Sequence, residues 1–128
     1  MKQKIKGTNA ERDLIHKFFA SGWCAIRVAG SGSSRYPSPD ILASNNTRKL
    51  AIECKTSKNN TLYVTKEDIS QLKEFSGLFG SESWLAVRFD RTDWRFLKLE
   101  DLDEKNKNFS IKIEDAQKKG LELKDLII

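Results

Sequence analysis

An α/β fold is predicted for this chain: a single domain with a central mixed five-stranded sheet flanked by helices. Three observations predict it. Apolar residues recur at helical intervals in two segments, short β-type runs lie between and after them, and clusters of Asn, Gly, Ser and Asp separate the runs as turns. The order is helix, three strands, a further strand, helix, two strands, which suits one mixed sheet with helices packed on it. A chain of 128 residues with 38% hydrophobic content can bury a core without disulfide or metal staples.

Lys2, Lys4 and Lys6 alternate in an arm expected to end at Gly7, serving either as phosphate contacts or as a solubilising tail. Thr8-Asn9-Ala10-Glu11 has the spacing of a helix capping box, and Ala10, Leu14, Ile15, Phe18 and Phe19 continue the helix until Ser21-Gly22. Glu11 then has two readings: a cap on the helix, or an inward carboxylate that reaches an acidic cluster. His16 is the sole histidine, which excludes a His-rich zinc site and a histidine-metal nuclease motif; it is read as a surface residue. Trp23 to Val28 alternates as a first strand. The following Ala29 to Ser38 is rich in Gly and Ser, cannot build core, and is expected to be a mobile loop that closes over a phosphate with hydroxyls, backbone N–H groups and Arg35. It lacks the lysine pattern of a nucleotide P-loop, so no nucleotide cofactor is expected.

The segment from Pro39 to Lys55 carries the chemistry. Pro39-Asp40 is followed by twelve residues and then Glu53-Cys54-Lys55. Ile41-Leu42-Ala43 and Leu50-Ala51-Ile52 are strand-like, and Asn45-Asn46-Thr47 between them is turn chemistry, so Asp40 is expected to fold back towards Glu53. Alternation places Glu53 and Lys55 on one face and Leu50, Ile52 and Cys54 on the other. Two acids and a lysine held against apolar sequence suit a hard divalent cation such as Mg²⁺, with Lys55 orienting or deprotonating an attacking water.

Thr61 to Val64 reads as a short strand. Thr65-Lys66-Glu67-Asp68 resembles a capped helix start, followed by a stripe of Ile69, Leu72, Phe75, Ser76 and Phe79 up to Gly80. Most of that stripe is core; Phe75 and Phe79 could instead meet a second subunit. Ser83 to Phe89 and Trp94 to Leu99 form a hairpin through Asp90-Arg91-Thr92-Asp93. Glu100 to Ile128 is charged and broken, with a strand near Ser110 to Ile113 and a helical turn in Leu121 to Ile128.

Formal net charge is +5, and it is unevenly spread: residues 1–60 hold 11 Lys and Arg against 4 Asp and Glu, whereas residues 61–128 hold 12 against 14. The basic half is the one with the acidic cluster, which favours approach of a polyanion. No apolar run reaches membrane-spanning length and no signal peptide is evident, so an intracellular, cytoplasmic protein is expected, with Cys24 and Cys54 as buried thiols.

Pro39-Asp40 and Glu53-Cys54-Lys55 match the signature of the PD-(D/E)xK nucleases. Together with Lys6-Gly7, Glu11-Arg12, Ile26-Arg27, Gly30-Ser31-Gly32-Ser33, Leu62-Tyr63-Val64, Phe75-Ser76, Phe79-Gly80 and Trp94-Arg95-Phe96, the chain resembles the archaeal-type Holliday junction resolvases over about residues 5–99. The resemblance implies a restriction-endonuclease-like core. It also implies a homodimer that cuts four-way DNA junctions by paired, Mg²⁺-dependent nicks, with Mn²⁺ as a possible substitute, leaving 5′-phosphate and 3′-hydroxyl ends. It matches Glu11, Asp40 and Glu53 to metal-site acids, Lys55 to the catalytic lysine, Ser31 to the serine of the catalytic loop, and Phe75 and Phe79 to dimer-interface aromatics. Lys4, Lys6, Arg12, Arg27, Ser33, Arg35 and Lys58 are the expected DNA contacts. Two alternatives stay open: a related nuclease acting on linear duplex, and a non-catalytic DNA-binding module.

Overall fold

The computed structural model describes residues 2–30 and 35–128, with side chains from Thr8 onward. Five strands form the main sheet: β1 (Cys24–Arg27), β2 (Ile41–Ser44), β3 (Lys49–Ser57), β5 (Glu82–Phe89) and β6 (Arg95–Leu97), in the order β1-β2-β3-β5-β6. The sheet is mixed. β3 and β5 run parallel, and the other neighbours are antiparallel. The parallel pair requires a crossover, which consists of β4 (Thr61–Thr65) and α2 (Lys66–Phe79).

Thr61 to Val64 is a strand as expected, but it does not join the main sheet. It pairs with β8 (Asn108–Lys112), which also pairs with β7 (Asp103–Glu104), in a second sheet ordered β4-β8-β7. The C-terminal segment thus supplies its partner, followed by α3 (Ile113–Lys119) and α4 (Leu123–Leu126).

Side-chain alternation sorts the core into two layers. Leu50 and Ile52 of β3 pack with Ala10, Leu14 and Phe18 of the first helix and with Leu126 of α4. Ala51 between them packs with Ile69 and Leu72 of α2, Leu62 and Val64 of β4, and Ile111 of β8. Burial of both faces accounts for the apolar run Leu50-Ala51-Ile52.

Local signals explain most boundaries. The Asn45 side chain accepts the Thr47 N–H at 3.1 Å and the Arg48 N–H at 2.8 Å, while Asn46 takes a φ of 88°, so the β2–β3 turn rests on asparagine chemistry. Thr65 caps α2 by accepting the Asp68 N–H at 3.0 Å, and Gly80 ends that helix at a φ of 81°. At the β5–β6 turn Arg91 takes a φ of 65° and Thr92 hydrogen-bonds the Phe89 backbone.

Two expectations need correction. Helix α1 spans Lys2–Ala20, so the residues expected to form an arm before Gly7 are its first turns, and Thr8 to Glu11 lie inside the helix rather than at a cap. The Lys- and Gln-rich start favours helix enough to carry it past one glycine. Cys24 is exposed, because in the edge strand β1 Ala25 takes the inward position and Cys24 and Ile26 face out. Among the described residues no helix is long and apolar enough to cross a membrane.

The C-terminal helices close tightly on β6. A Cβ on Gly120 would lie 2.6 Å from the Ala116 carbonyl oxygen and 2.9 Å from the Arg95 Cβ. Gly120→Ala is therefore expected to destabilise the protein by about 1–3 kcal/mol, read as a lower denaturation midpoint.

Candidate active site

Backbone pairing delivers Asp40 to Glu53. Ile41 lies opposite Ile52 in the β2–β3 ladder, and one residue upstream the Asp40 N–H donates to the Ile52 carbonyl at 3.0 Å. On the other side the Val28 N–H donates to the Asp40 carbonyl at 2.8 Å, so the Asp40 backbone is tied on both sides. Its carboxylate accepts the Cys54 N–H at 2.8 Å. Pro39 just before it is buried.

Glu53 and Lys55 share the side of β3 on which Ala51 meets α2, while Cys54 packs with the α1 layer, as alternation predicts. Lys55 Nζ lies 3.5 Å from Glu53 Oε2 and 3.1 Å from Asp68 Oδ2. Asp68 belongs to the first turn of α2.

The electrostatics show an uncompensated site. Burial and then the charge of Asp40 push Glu53 up to about 8, against the opposing pull of Lys55. Glu11 is raised by burial and by Asp40, with Arg27 offsetting part of the shift. For Lys55 burial works downwards, but Glu53 and Asp68 outweigh it and the ammonium is favoured. Burial, followed by Asp40, also raises the Cys54 thiol well above its usual range, so it is an inert neighbour.

Glu11 approaches from α1, within the influence of Asp40, and its Oε1 lies 3.7 Å from the Arg27 guanidinium. Its role as a helix cap is excluded by its place in mid-helix. Among the described residues no group of three His, Cys, Asp or Glu side chains is arranged to hold a metal ion alone. The donor set fits instead a cation that takes one or two carboxylates and fills its shell with water and substrate oxygens, as Mg²⁺ does. Two semi-buried acids that repel each other supply the charge such an ion would neutralise.

Arg12 and Lys58 are exposed, on α1 and in the β3–β4 turn respectively. Arg27 is engaged with Glu11, and Arg35 is exposed with its guanidinium 5.8 Å from the Tyr36 ring centroid. Ser31 and Ser33 lie outside the described residues, as do the side chains of Lys4 and Lys6. His16 is exposed as expected. Phe75 and Phe79 stack with centroids 5.0 Å apart. Phe79 is 47% exposed and lines two apolar grooves, one with Tyr36, Pro37, Phe75 and Leu78, the other with Ile26, Leu42 and Leu50.

Asp68 is the site residue that sequence reasoning missed. Its sequence context marks a helix start, and nothing local to it reveals that α2 crosses beside Lys55.

A family model for the archaeal Holliday junction resolvase (Hjc) matches residues 2–128. The crossover junction endodeoxyribonuclease Hjc of Archaeoglobus fulgidus is 42% identical over 123 residues, covering 96% of this chain and 90% of that protein. The enzyme of the same name from Sulfurisphaera tokodaii is 33% identical over 127 residues, covering 97% and 87%. Among solved structures, that of Archaeoglobus fulgidus Hjc, a Holliday junction resolvase from an archaeal hyperthermophile, matches with a TM-score of 0.87 at 39% identity, covering 93% of this chain and 96% of that one. Sequence and fold agree, and the chain belongs to the archaeal Holliday junction resolvase family.

Proposed function

We propose that this protein is a Mg²⁺-dependent endonuclease that resolves four-way DNA junctions as a homodimer, one site per subunit. The observation that carries the reading is the meeting of Asp40, Glu53 and Lys55 at the β2–β3 pair in a chain of this family. Asp40 and Glu53, with Glu11 beside them, would hold the cation, and Mn²⁺ would substitute. When bound, the cation would activate a water and neutralise charge developing on the scissile phosphate. Lys55, kept as an ammonium, would orient that water and meet the phosphate. Arg27 holds Glu11 while Arg12, Arg35 and Lys58 would contact the backbone, with Lys4, Lys6, Ser31 and Ser33 adding contacts. Displacement at phosphorus would leave 5′-phosphate and 3′-hydroxyl ends. An intracellular location with the cell's DNA follows from that substrate.

A four-way junction has approximate two-fold symmetry, and an isologous dimer matches it. The exposed apolar surface around Phe79, Leu78, Tyr36 and Ile26 supports pairing there. Phe79→Glu is expected to shift the protein to monomer in sedimentation equilibrium and to abolish paired cutting, because a charged side chain would replace the apolar ring in the buried seam.

The deciding experiment compares an end-labelled immobile junction with a linear duplex of the same arm sequence, in Mg²⁺ and in chelator. Paired symmetric nicks in the junction alone, only with Mg²⁺, are expected. Asp40→Ala or Lys55→Ala should lower the rate by about 10²-fold or more while leaving junction binding in place. Equal cutting of both substrates would indicate a general nuclease, and binding with no cutting by the wild type would indicate a binding module.

Glu53 links the metal to stability. Burial and the charge of Asp40 push it up to about 8 in the folded state, above the ordinary carboxylate value of 4.5, so between these pH values the folded state holds a proton that the unfolded state releases. The contribution is present in full below the lower value and is lost as pH rises through the upper one. In chelator, the melting temperature should therefore fall from pH 5 to pH 8 more steeply for wild type than for Glu53→Gln. Saturating Mg²⁺ should remove that difference in the wild type, and calorimetry in buffers of different ionisation enthalpy should show proton release on Mg²⁺ binding at pH 7.

A further inference from the structure

We infer that Asp68 is a positioning residue for Lys55, forming with Glu53 a two-carboxylate clamp that fixes the direction of the Lys55 ammonium. The inference rests on the nuclease reading of the preceding subsection. Asp68 Oδ2 is 3.1 Å from Lys55 Nζ, closer than Glu53 Oε2 at 3.5 Å. A lysine ammonium has three N–H donors on a flexible stem, and two anchors leave one direction for a water or a phosphate oxygen.

The clamp bridges elements that are far apart in sequence. Lys55 sits on β3, and Asp68 sits on the helix of the crossover that follows it. Asp68 is itself held, since Thr65 Oγ1 accepts its backbone N–H at 3.0 Å. The neighbouring acid and base have other tasks: Glu67 hydrogen-bonds Gln71 along the helix at 3.2 Å, and Lys66 pairs with Glu104 at 3.2 Å. Of these first-turn residues, Asp68 is the one that reaches Lys55.

A purely stabilising role explains the placement poorly. A partly exposed ion pair contributes little to stability, and the Asp68 charge adds to the repulsion that Glu53 already feels from Asp40. An acid there increases the strain of the cluster while fixing its lysine. That combination suits positioning for reaction, where small misplacements of a reacting group are costly.

The test uses Asp68→Asn, which keeps shape and removes charge, and Asp68→Glu, which restores the carboxylate on a longer arm. In protein labelled with ¹⁵N-lysine, the Lys55 Nζ resonance, assigned with Lys55→Arg, should be slowed in exchange in wild type and Asp68→Glu and broadened away in Asp68→Asn. With saturating enzyme and Mg²⁺, the single-turnover rate on the junction should fall about 10- to 100-fold in Asp68→Asn and recover in large part in Asp68→Glu. The junction Kd should change less than about twofold, since the Asp68 carboxylate is engaged with Lys55 and is not a cationic phosphate ligand. An unchanged rate in Asp68→Asn beside a cutting wild type would overturn the positioning role alone, as would a rate loss matched by lost binding or by a lower melting temperature. A wild type that binds junctions and never cuts them would overturn both this role and the nuclease reading.

Discussion

The repulsion between Asp40 and Glu53 is fixed by the backbone, and the rest of the site is arranged around it. Asp40 cannot swing away, because its main chain is hydrogen-bonded to Val28 just beyond β1 and to Ile52 of β3, and its carboxylate accepts the Cys54 N–H. Glu53 cannot reach solvent freely, with its side chain 15% exposed. Three things can relieve the pair: a proton on Glu53, the Lys55 ammonium, or a cation. The first removes the charge of Glu53 and the second is only partial, since Glu53 stays elevated to about 8 with Lys55 in place. An acid pair that the fold holds together against its own charge is a cost that the two hydrophobic layers must offset.

Those layers also explain how the charges are divided. β3 is buried on both faces, so its alternation sends Glu53 and Lys55 towards α2 and Cys54 towards α1. Each face brings a helix, and each helix brings an acid: Glu11 from α1 and Asp68 from α2. Each acid meets a base, Arg27 for Glu11 and Lys55 for Asp68. Asp40, at the entry to β2, acts on both sides, raising Glu11 as well as Glu53. The packing of α1 and α2 therefore sets charge separations at the site, and Leu14 and Leu72 in the two core layers help to hold those separations.

What was legible in the sequence is what is decided locally. The Asn45 turn dictates an antiparallel return, so the approach of Asp40 to Glu53 could be read from residues 39–55 alone, and the Thr65 cap and Gly80 stop fix α2 within its own sequence. Partners chosen by long-range packing were not legible. Thr61–Val64 has strand character but no sign of whether it joins β3 or β8, the latter more than forty residues away. Asp68 resembles any acid in a first helical turn, where it would complement the helix dipole; its link to Lys55 exists because a parallel β3–β5 pair forces a crossover over that face. Cys24 looked inward by composition, and only the edge position of β1 shows that Ala25 took the inward place.

Charge distribution adds a constraint on how a polyanion could enter. At physiological ionic strength charges are screened over about 8 Å, so the overall +5 matters less than the bases close to the acids. Residues 1–60 hold 11 basic against 4 acidic residues, and of those four Glu11, Asp40 and Glu53 form the proposed site. Asp13, the fourth, pairs with Arg88 at 3.4 Å. The acids of this half are thus tied up by the fold or gathered in one place, while Arg12, Arg35 and Lys58 are exposed. A polyanion approaching this half would meet a basic excess and then carboxylates that repel it, and a cation between them would offset that repulsion.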